Sequence, residues 1–165
     1  FTVFELLVAI GIVALLVALL IPSFTMVRRR AQRIQCSANL RSLHVAAEQY
    51  LQDNNAWPQI GLDAETDTGT EDHATAWIAA LSPYKIDKKQ WICPAIQKAL
   101  HNPDYLSAGN ERVDYMAMPF DDKPMTPHQW PRQPWFVENA DVHGHGNLII
   151  FTDGSISDLK SVTGK

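Results

Sequence analysis

The chain has 165 residues, of which 46% are hydrophobic, and its formal net charge is −4 at pH 7. These averages hide an uneven distribution, because 18 of the first 21 residues are apolar whereas the rest has the apolar content of a water-soluble domain. A single apolar run excludes a polytopic membrane protein, and the 15 aromatic residues exclude a disordered chain. Residues 51–165 carry a net charge of −7, which disfavours nucleic acid as a partner because phosphate binding needs a concentrated basic surface.

The first predicted element is an apolar helix over residues 1–25. Residues 6–21 have no polar side chain, and with residues 1–5 they approach the roughly 20 residues that cross a bilayer core. A secretory signal peptide fits poorly, because no basic segment precedes the apolar run and no small-residue cleavage site follows it. A generic membrane anchor is the second alternative. Glu5 counts against it, since a carboxylate inside a spanning helix costs about 2.5–3.5 kcal/mol.

Glu5 has a candidate partner at the start of the chain. A sequence that opens on Phe1 is expected to be processed, so that Phe1 carries a positive α-amino group. The Phe1 amine of a neighbouring copy could pair with Glu5 and offset a burial that either group would resist alone. The amine of the same chain, four residues away on the helix, is the alternative. Pairing between copies predicts that the apolar helices form a bundle in which Glu5 sets the axial register.

The N-terminal residues resemble a known family. Residues 1–10 read FTVFELLVAI and Pro22 closes the apolar run, which is similar to the mature N-terminus of type IV pilins and type II secretion pseudopilins. The resemblance implies cleavage by a prepilin peptidase before Phe1, N-methylation of Phe1, and filament assembly through Phe1, Glu5 and Pro22. It also implies a pilin-like α+β fold, in which a long N-terminal helix packs on a small C-terminal head with an antiparallel sheet.

The second half of the same helix, residues 26–52, is predicted to be amphipathic. Pro22 lacks a backbone N–H and should kink or loosen the helix rather than end it. Beyond Pro22, apolar residues recur at spacings of four and three and form one stripe, which should pack on a globular head at residues 53–165. The polar residues 53–55 and Pro58 predict the end of the helix. The stripe consists of Cys36, Leu40, Leu43, Ala47 and Tyr50.

Two cysteines, Cys36 and Cys93, predict a disulfide. Cys36 lies on the stripe against which the head must pack, and a location beyond the inner membrane would permit oxidation. Closing the loop between the two cysteines would stabilise the fold by about 4 kcal/mol in the chain-entropy treatment. Two buried free thiols are the alternative.

The side of the membrane on which the head is expected follows from the resemblance and not from the charge distribution. Four arginines follow the apolar segment, and a simple positive-inside reading would place the head in the cytoplasm. The resemblance and the cysteine pair favour an outward head, with the chain in the inner membrane before assembly and then in an extracellular or periplasmic filament. The implied partners are further copies of the chain, the inner membrane and the pilus or type II secretion assembly machinery. The four arginines are Arg28, Arg29, Arg30 and Arg33.

Residues 61–73 form a polar acidic segment. Asp63, Glu65 and Asp67 alternate before Gly69, faintly like a calcium loop, but the spacing differs and the terminal bidentate Glu is missing. A solvated loop is therefore favoured. No cofactor is expected, and bound calcium is the alternative.

A short helix at residues 74–81 and an aromatic segment follow. Pro83 should stop the helix. The aromatic segment could bind a glycan, but aromatics beside prolines more often attach an irregular loop to the core, and we favour that interpretation. The segment contains Trp130, Pro131, Pro134, Trp135 and Phe136.

The C-terminal segment predicts a hairpin. Residues 148–152 and 155–157 flank Asp153-Gly154, a pair that supplies the positive φ angles of a two-residue turn. With His143, this pair makes a His-x9-Asp-Gly pattern. The pattern resembles the C-terminal signature of a large group of bacterial pseudopilin-like proteins of undefined function, and residues 32–41 (QRIQCSANLR) and 92–94 (ICP) resemble other stretches of that group.

The signature histidine admits two interpretations. His143, His145 and Asp153 could form a zinc or general-base cluster, but a structural His143 near the hairpin is favoured. The sequence contains no phosphate loop, CxxC pair or catalytic triad motif, so we expect no enzymatic activity. The leading function is a structural subunit of a pilus-like filament. The alternative is a membrane-anchored, pilin-like protein whose head binds a metal or a glycan, as a minor pilin, an adhesin or an enzyme-like module.

Overall fold

The computed structural model describes residues 2–60, 69–101, 104, 107, 109, 111–144 and 146–164, without the side chains of residues 19–23 and 69–72. A long N-terminal helix, α1 (Val3–Asn54), precedes a head that contains short helices and a four-stranded antiparallel sheet. The predicted α+β class is therefore confirmed.

The start of α1 is fixed by a capping box between Thr2 and Glu5. The Glu5 backbone N–H donates to the Thr2 hydroxyl at 3.2 Å, and the Thr2 backbone N–H donates to Oε2 of Glu5 at 2.7 Å. Each side chain thus satisfies a donor that the first turn of a helix leaves without a partner. The carboxylate of Glu5 is held at the N-terminal end of α1, where the helix dipole also favours negative charge.

The described side chains in the N-terminal part of α1 are not covered by the head. Every described side chain in residues 2–18 and 24–31 is exposed, including Val3 at 77% and Phe24 at 70%. Within the part of the chain that the structure describes, no helix meets the length and hydropathy that a membrane crossing requires.

α1 continues through Pro22 and ends at the predicted polar run. The helix is unbroken over 52 residues. Asn55 closes it in a left-handed conformation with φ of 52°, and its backbone N–H donates to the Leu51 carbonyl at 2.9 Å. Pro22 does not end the helix, as predicted, and α1 ends within the predicted polar run at Asn54, two residues beyond the predicted bound of 52. The predicted kink or loosening at Pro22 stays a prediction.

The C-terminal half of α1 packs into the head along the predicted apolar stripe. Cys36, Leu40, Leu43 and Ala47 are fully buried, whereas Tyr50 is half-buried and meets the Tyr84 ring edge-on at 5.9 Å between ring centroids. The periodicity of four and three residues therefore identified the buried face of the helix correctly.

Short helices follow α1 in the chain and precede the strands of the sheet. α2 (Gly69–Leu81) begins five residues before the predicted start and ends where predicted, with Pro83 inside the 3₁₀ turn Ser82–Tyr84 that follows. A second 3₁₀ turn, Lys88–Trp91, leads to α3 (Pro94–Leu100). Cys93 is the last residue before α3.

The sheet is an antiparallel meander in which the strands pair in chain order, β1-β2-β3-β4. All four residues of β3 are buried, which is expected of a central strand. On its inner side the sheet meets an aromatic core, where Trp57 lies 5.1 Å from Trp135 between ring centroids. The strands are β1 (Tyr115–Ala117), β2 (Pro134–Glu138), β3 (Leu148–Phe151) and β4 (Ile156–Asp158).

The aromatic segment contributes to this core. Trp135 and Phe136 are fully buried in β2, and the Trp135 indole N–H donates to the Pro127 carbonyl at 2.8 Å. Trp130, in contrast, is 62% exposed. The favoured interpretation, in which these aromatics attach the segment to the core, is confirmed for Trp135 and Phe136.

The β3–β4 hairpin forms as predicted, but the two-residue turn was wrong. The loop has three residues, since the Gly154 N–H donates to the Phe151 carbonyl at 2.8 Å and the Phe151 N–H donates to the Ser155 carbonyl at 3.0 Å. Gly154 has φ of 73°, and Asp153 is not in the positive-φ region. This is a type I turn followed by a glycine bulge. The Thr152 N–H donates to the Gln133 carbonyl at 2.8 Å, on the side of β3 that pairs with β2.

Candidate functional site

Several predicted site residues lie outside the described part of the chain. They are Phe1, the three acidic candidates for calcium (Asp63, Glu65 and Asp67) and His145. Pro22 lies in α1, and its side chain is not described. The processing, calcium and second-histidine hypotheses therefore stay predictions.

A disulfide joins Cys36 to Cys93, as predicted. Cys36 is contributed by the buried face of α1 and Cys93 by the residue before α3, and both are 0% exposed. Their Cα atoms lie 5.3 Å apart, within the usual range for a bridged pair. The bridge fastens the head to the long helix.

Polar contacts hold the Cys93 segment in place. The Asn39 side-chain amide donates to the Ile92 carbonyl at 2.9 Å, one helical turn from Cys36 on α1. The Cys93 backbone N–H donates to Oδ2 of Asp114 at 2.8 Å, and Arg112 pairs with the other carboxylate oxygen at 2.7 Å. Burial raises the pKa of Asp114, and the Arg112 pairing opposes that rise. These contacts give the Cys-x-x-Asn stretch and the Cys93 segment a shared structural role.

Two buried polar side chains face the bridge. His143 and Glu138 are only 3% and 0% exposed, and Nε2 of His143 lies 3.3 Å from Oε1 of Glu138 and 3.9 Å from Sγ of Cys93. The other carboxylate oxygen of Glu138 accepts a long hydrogen bond from the Leu148 backbone N–H at 3.4 Å. The two Sγ atoms, the carboxylate and the imidazole all lie within 4.8 Å of one another. The grouping consists of Cys36, Cys93, Glu138 and His143, and we call it the bridge cluster.

The less favoured interpretation, a cluster of His143 with Asp153, does not match the surroundings of His143 among the described residues, which are Glu138 and Cys93. Asp153 instead accepts a hydrogen bond at 2.9 Å from the Ser155 backbone N–H within the hairpin turn, and hydrogen bonding to Ser155 lowers its pKa. The reason is that Asp153 is committed to the turn, while the polypeptide before β3 carries His143 towards Glu138 and the cysteines. The two halves of the His-x9-Asp-Gly pattern therefore have separate contacts.

The turn half of the pattern contacts α1. His44 of α1 donates from Nε2 to the Thr152 carbonyl at 3.0 Å, and its ring stacks on Trp135 with centroids 4.6 Å apart. A second link is the ion pair between Arg33 of α1 and Asp158 at the end of β4, at 2.7 Å. The hairpin is thus attached to the long helix at both ends, which is a structural role.

Sequence reasoning missed Glu138. The signal was present in β2, because side chains alternate between the two faces of a strand and Glu138 is two residues after the buried Phe136. A carboxylate at an inward-facing position of an otherwise apolar strand indicates a buried charge that needs a partner.

The bridge cluster is a closed structural element. All four side chains are buried, and the two sulfurs are committed to each other. Comparison of the chain with protein-family models, with curated proteins and with solved structures finds no match.

Proposed function

We propose that this chain is a structural subunit of a type IV pilus-like filament, extracellular or spanning the periplasm, and that its fold is pilin-like. The observation that carries the proposal is the exposed apolar length of α1. Among the side chains that the structure describes, Cys36 is the first along the helix that is fully buried, and the 33 helical residues before it would extend about 50 Å at 1.5 Å per residue. The described side chains up to residue 31 are exposed, so the head does not bury this part of the helix.

The composition of the exposed apolar part of α1 favours its burial against the same part of other copies of the chain. Residues between 3 and 27 include many large apolar side chains that are 46% to 77% exposed, on all sides of the helix. Burying one such side chain contributes about 1.5–3 kcal/mol, and a helix that is apolar all round is stable only inside a bundle or a bilayer. The proposal therefore places the segment in the inner membrane before assembly and in the filament core afterwards.

Glu5 supports the proposal that the apolar part of α1 is finally surrounded by other copies of the chain and not by lipid alone. Its carboxylate is exposed at the first turn of α1, where it accepts a hydrogen bond from the Thr2 backbone N–H at 2.7 Å. A carboxylate is costly in lipid and favourable beside a cation. In the proposed filament, Glu5 pairs with the N-terminus of an adjacent subunit and sets the axial stagger.

The test separates the charge of Glu5 from its capping role. Glu5→Gln keeps a residue that can complete a capping box but removes the charge. Thr2→Ala breaks the capping box and keeps the charge, so it is the matched control. We expect Glu5→Gln to accumulate in membranes without forming filaments and Thr2→Ala to assemble, as measured by sedimentation and electron microscopy of sheared surface material.

Two outcomes would contradict the proposal. Filaments of normal yield from Glu5→Gln would reject the pairing between copies. A wild-type chain that stays monomeric when it is expressed with a complete pilus or type II secretion assembly machinery would reject the filament function. The proposal gives the head no catalytic role.

A further inference from the structure

The buried Glu138 carboxylate is not explained by the disulfide beside it. The side chain is 0% exposed, and among the described residues its Oε1 atom accepts no hydrogen bond. Burying a carboxylate without full pairing is costly, and a disulfide in an apolar core requires neither an acid nor an imidazole next to it. A second state of the same four side chains would account for the presence of both groups.

Two of the distances in the cluster are close to those of a tetrahedral metal site, and all four ligand atoms lie within 4.8 Å of one another. Zinc binds sulfur at about 2.3 Å and nitrogen or oxygen at about 2.0–2.2 Å, so neighbouring ligand atoms of a tetrahedron lie roughly 3.3–3.8 Å apart. The observed separations are 3.3 Å from His143 Nε2 to Glu138 Oε1 and 3.9 Å from His143 Nε2 to Cys93 Sγ. The two sulfurs are closer than this, because they are bonded to each other.

We propose that, when the Cys36–Cys93 bridge is reduced, the bridge cluster binds one zinc ion through both thiolates, the Glu138 carboxylate and Nε2 of His143. Two thiolates, one imidazole and one carboxylate form a ligand set that zinc, a borderline-soft cation, accepts. Four protein ligands leave no open position, so the site is structural rather than catalytic. Zinc holds α1 and the start of α3 together in the reduced protein as the disulfide does in the oxidised one.

The conversion balances with a dithiol as the reductant. The dithiol gives two electrons and two protons to the bridge, the S–S bond breaks, and Cys36 and Cys93 become thiols while the reductant forms its own disulfide. Zn²⁺ then displaces the two thiol protons into solvent, and the sulfurs separate to about 3.8 Å as they take neighbouring corners of the tetrahedron. The metal also gives the buried Glu138 carboxylate a cationic ligand partner, which the reduced metal-free state lacks, and the complete site of Zn²⁺ with three anionic ligands carries a net charge of −1.

The experiment uses the full chain in mild detergent. The protein is reduced with dithiothreitol, separated from the reductant without oxygen, equilibrated with Zn²⁺ or Co²⁺, and freed of excess metal. We expect one zinc per reduced chain by elemental analysis, and no stoichiometric zinc in the oxidised chain. The cobalt form should show thiolate-to-metal charge transfer and the visible bands of tetrahedral cobalt.

Variants assign the ligands. Glu138→Gln and His143→Ala should each weaken zinc binding by at least roughly 10–100-fold. That is the loss of affinity caused by removing a residue that only supports a metal ligand. His128→Ala is the matched control, because His128 lies near Glu48 of α1 at 3.8 Å and outside the cluster. Near-ultraviolet circular dichroism of each oxidised variant checks folding while the disulfide is intact.

The inference is independent of filament assembly. The metal site would be overturned if the reduced wild-type protein retained no zinc. It would also be overturned if the cobalt form showed no thiolate-to-metal charge transfer. Zinc binding of wild-type strength in both Glu138→Gln and His143→Ala would also overturn the four-ligand assignment.

Discussion

Reduction of the Cys36–Cys93 bridge in the presence of a chelator should destabilise the head strongly. The bridge closes a loop with a sequence separation of 57 residues. In the chain-entropy treatment, opening such a loop lowers the free energy of unfolding by about 4 kcal/mol, a large share of the roughly 5–15 kcal/mol that holds a typical domain folded. For a domain of this size, the expected fall in Tm is about 10–20 °C.

The assay is thermal unfolding followed by near-ultraviolet circular dichroism, in which the buried Trp57, Trp91 and Trp135 report the packing of the core. The Cys36→Ala/Cys93→Ala double variant controls for the reductant, since its Tm should not respond to reduction. A fall in Tm of less than about 2 °C in the wild-type protein would show that the bridge does not restrain the unfolded chain as argued.

Two further predictions concern the hairpin and α2. Gly154→Ala should lower the free energy of unfolding by about 1–2 kcal/mol, because φ is 73° there while a new Cβ would meet only His44, at 3.7 Å; a wild-type urea midpoint would contradict this. His73 accepts a hydrogen bond from the Trp77 indole at 3.2 Å, and burial lowers its pKa from 6.5. Because the pKa is lowered in the folded protein, the stability that neutral His73 contributes is fully present above pH 6.5 and is lost as the pH falls through the folded-state pKa. The stability of His73→Gln should therefore fall less on acidification, and identical pH profiles would refute the assignment.

The elements that the sequence predicted well are those specified by local spacing. The stripe from Cys36 to Ala47 lies on one face because an α-helix repeats about every 3.6 residues, whatever the head contributes. The end of α1 at Asn55 follows likewise from a residue that tolerates the left-handed conformation. The cysteine pair was predictable since one member was already placed on the buried face.

The elements that the sequence did not specify depend on contacts between distant segments. Glu138 meets His143 and Cys93 only once β2 pairs with β3 and α3 packs on α1, and no local pattern encodes that meeting. The turn at Asp153-Gly154 is a separate case, because an Asp-Gly pair is compatible with both a two-residue turn and a three-residue loop that ends in a positive-φ glycine. The dipeptide alone does not distinguish the two loop lengths.

The most direct test of the filament function is electron cryo-microscopy of polymers assembled from the wild-type chain. The expected map shows a helical core built from residues 3–27 of many copies, surrounded by heads, with density joining Glu5 of each subunit to the N-terminus of a neighbour. A polymer held together by head contacts with the apolar segment of α1 on the outside would contradict the account, and so would the persistent absence of any polymer.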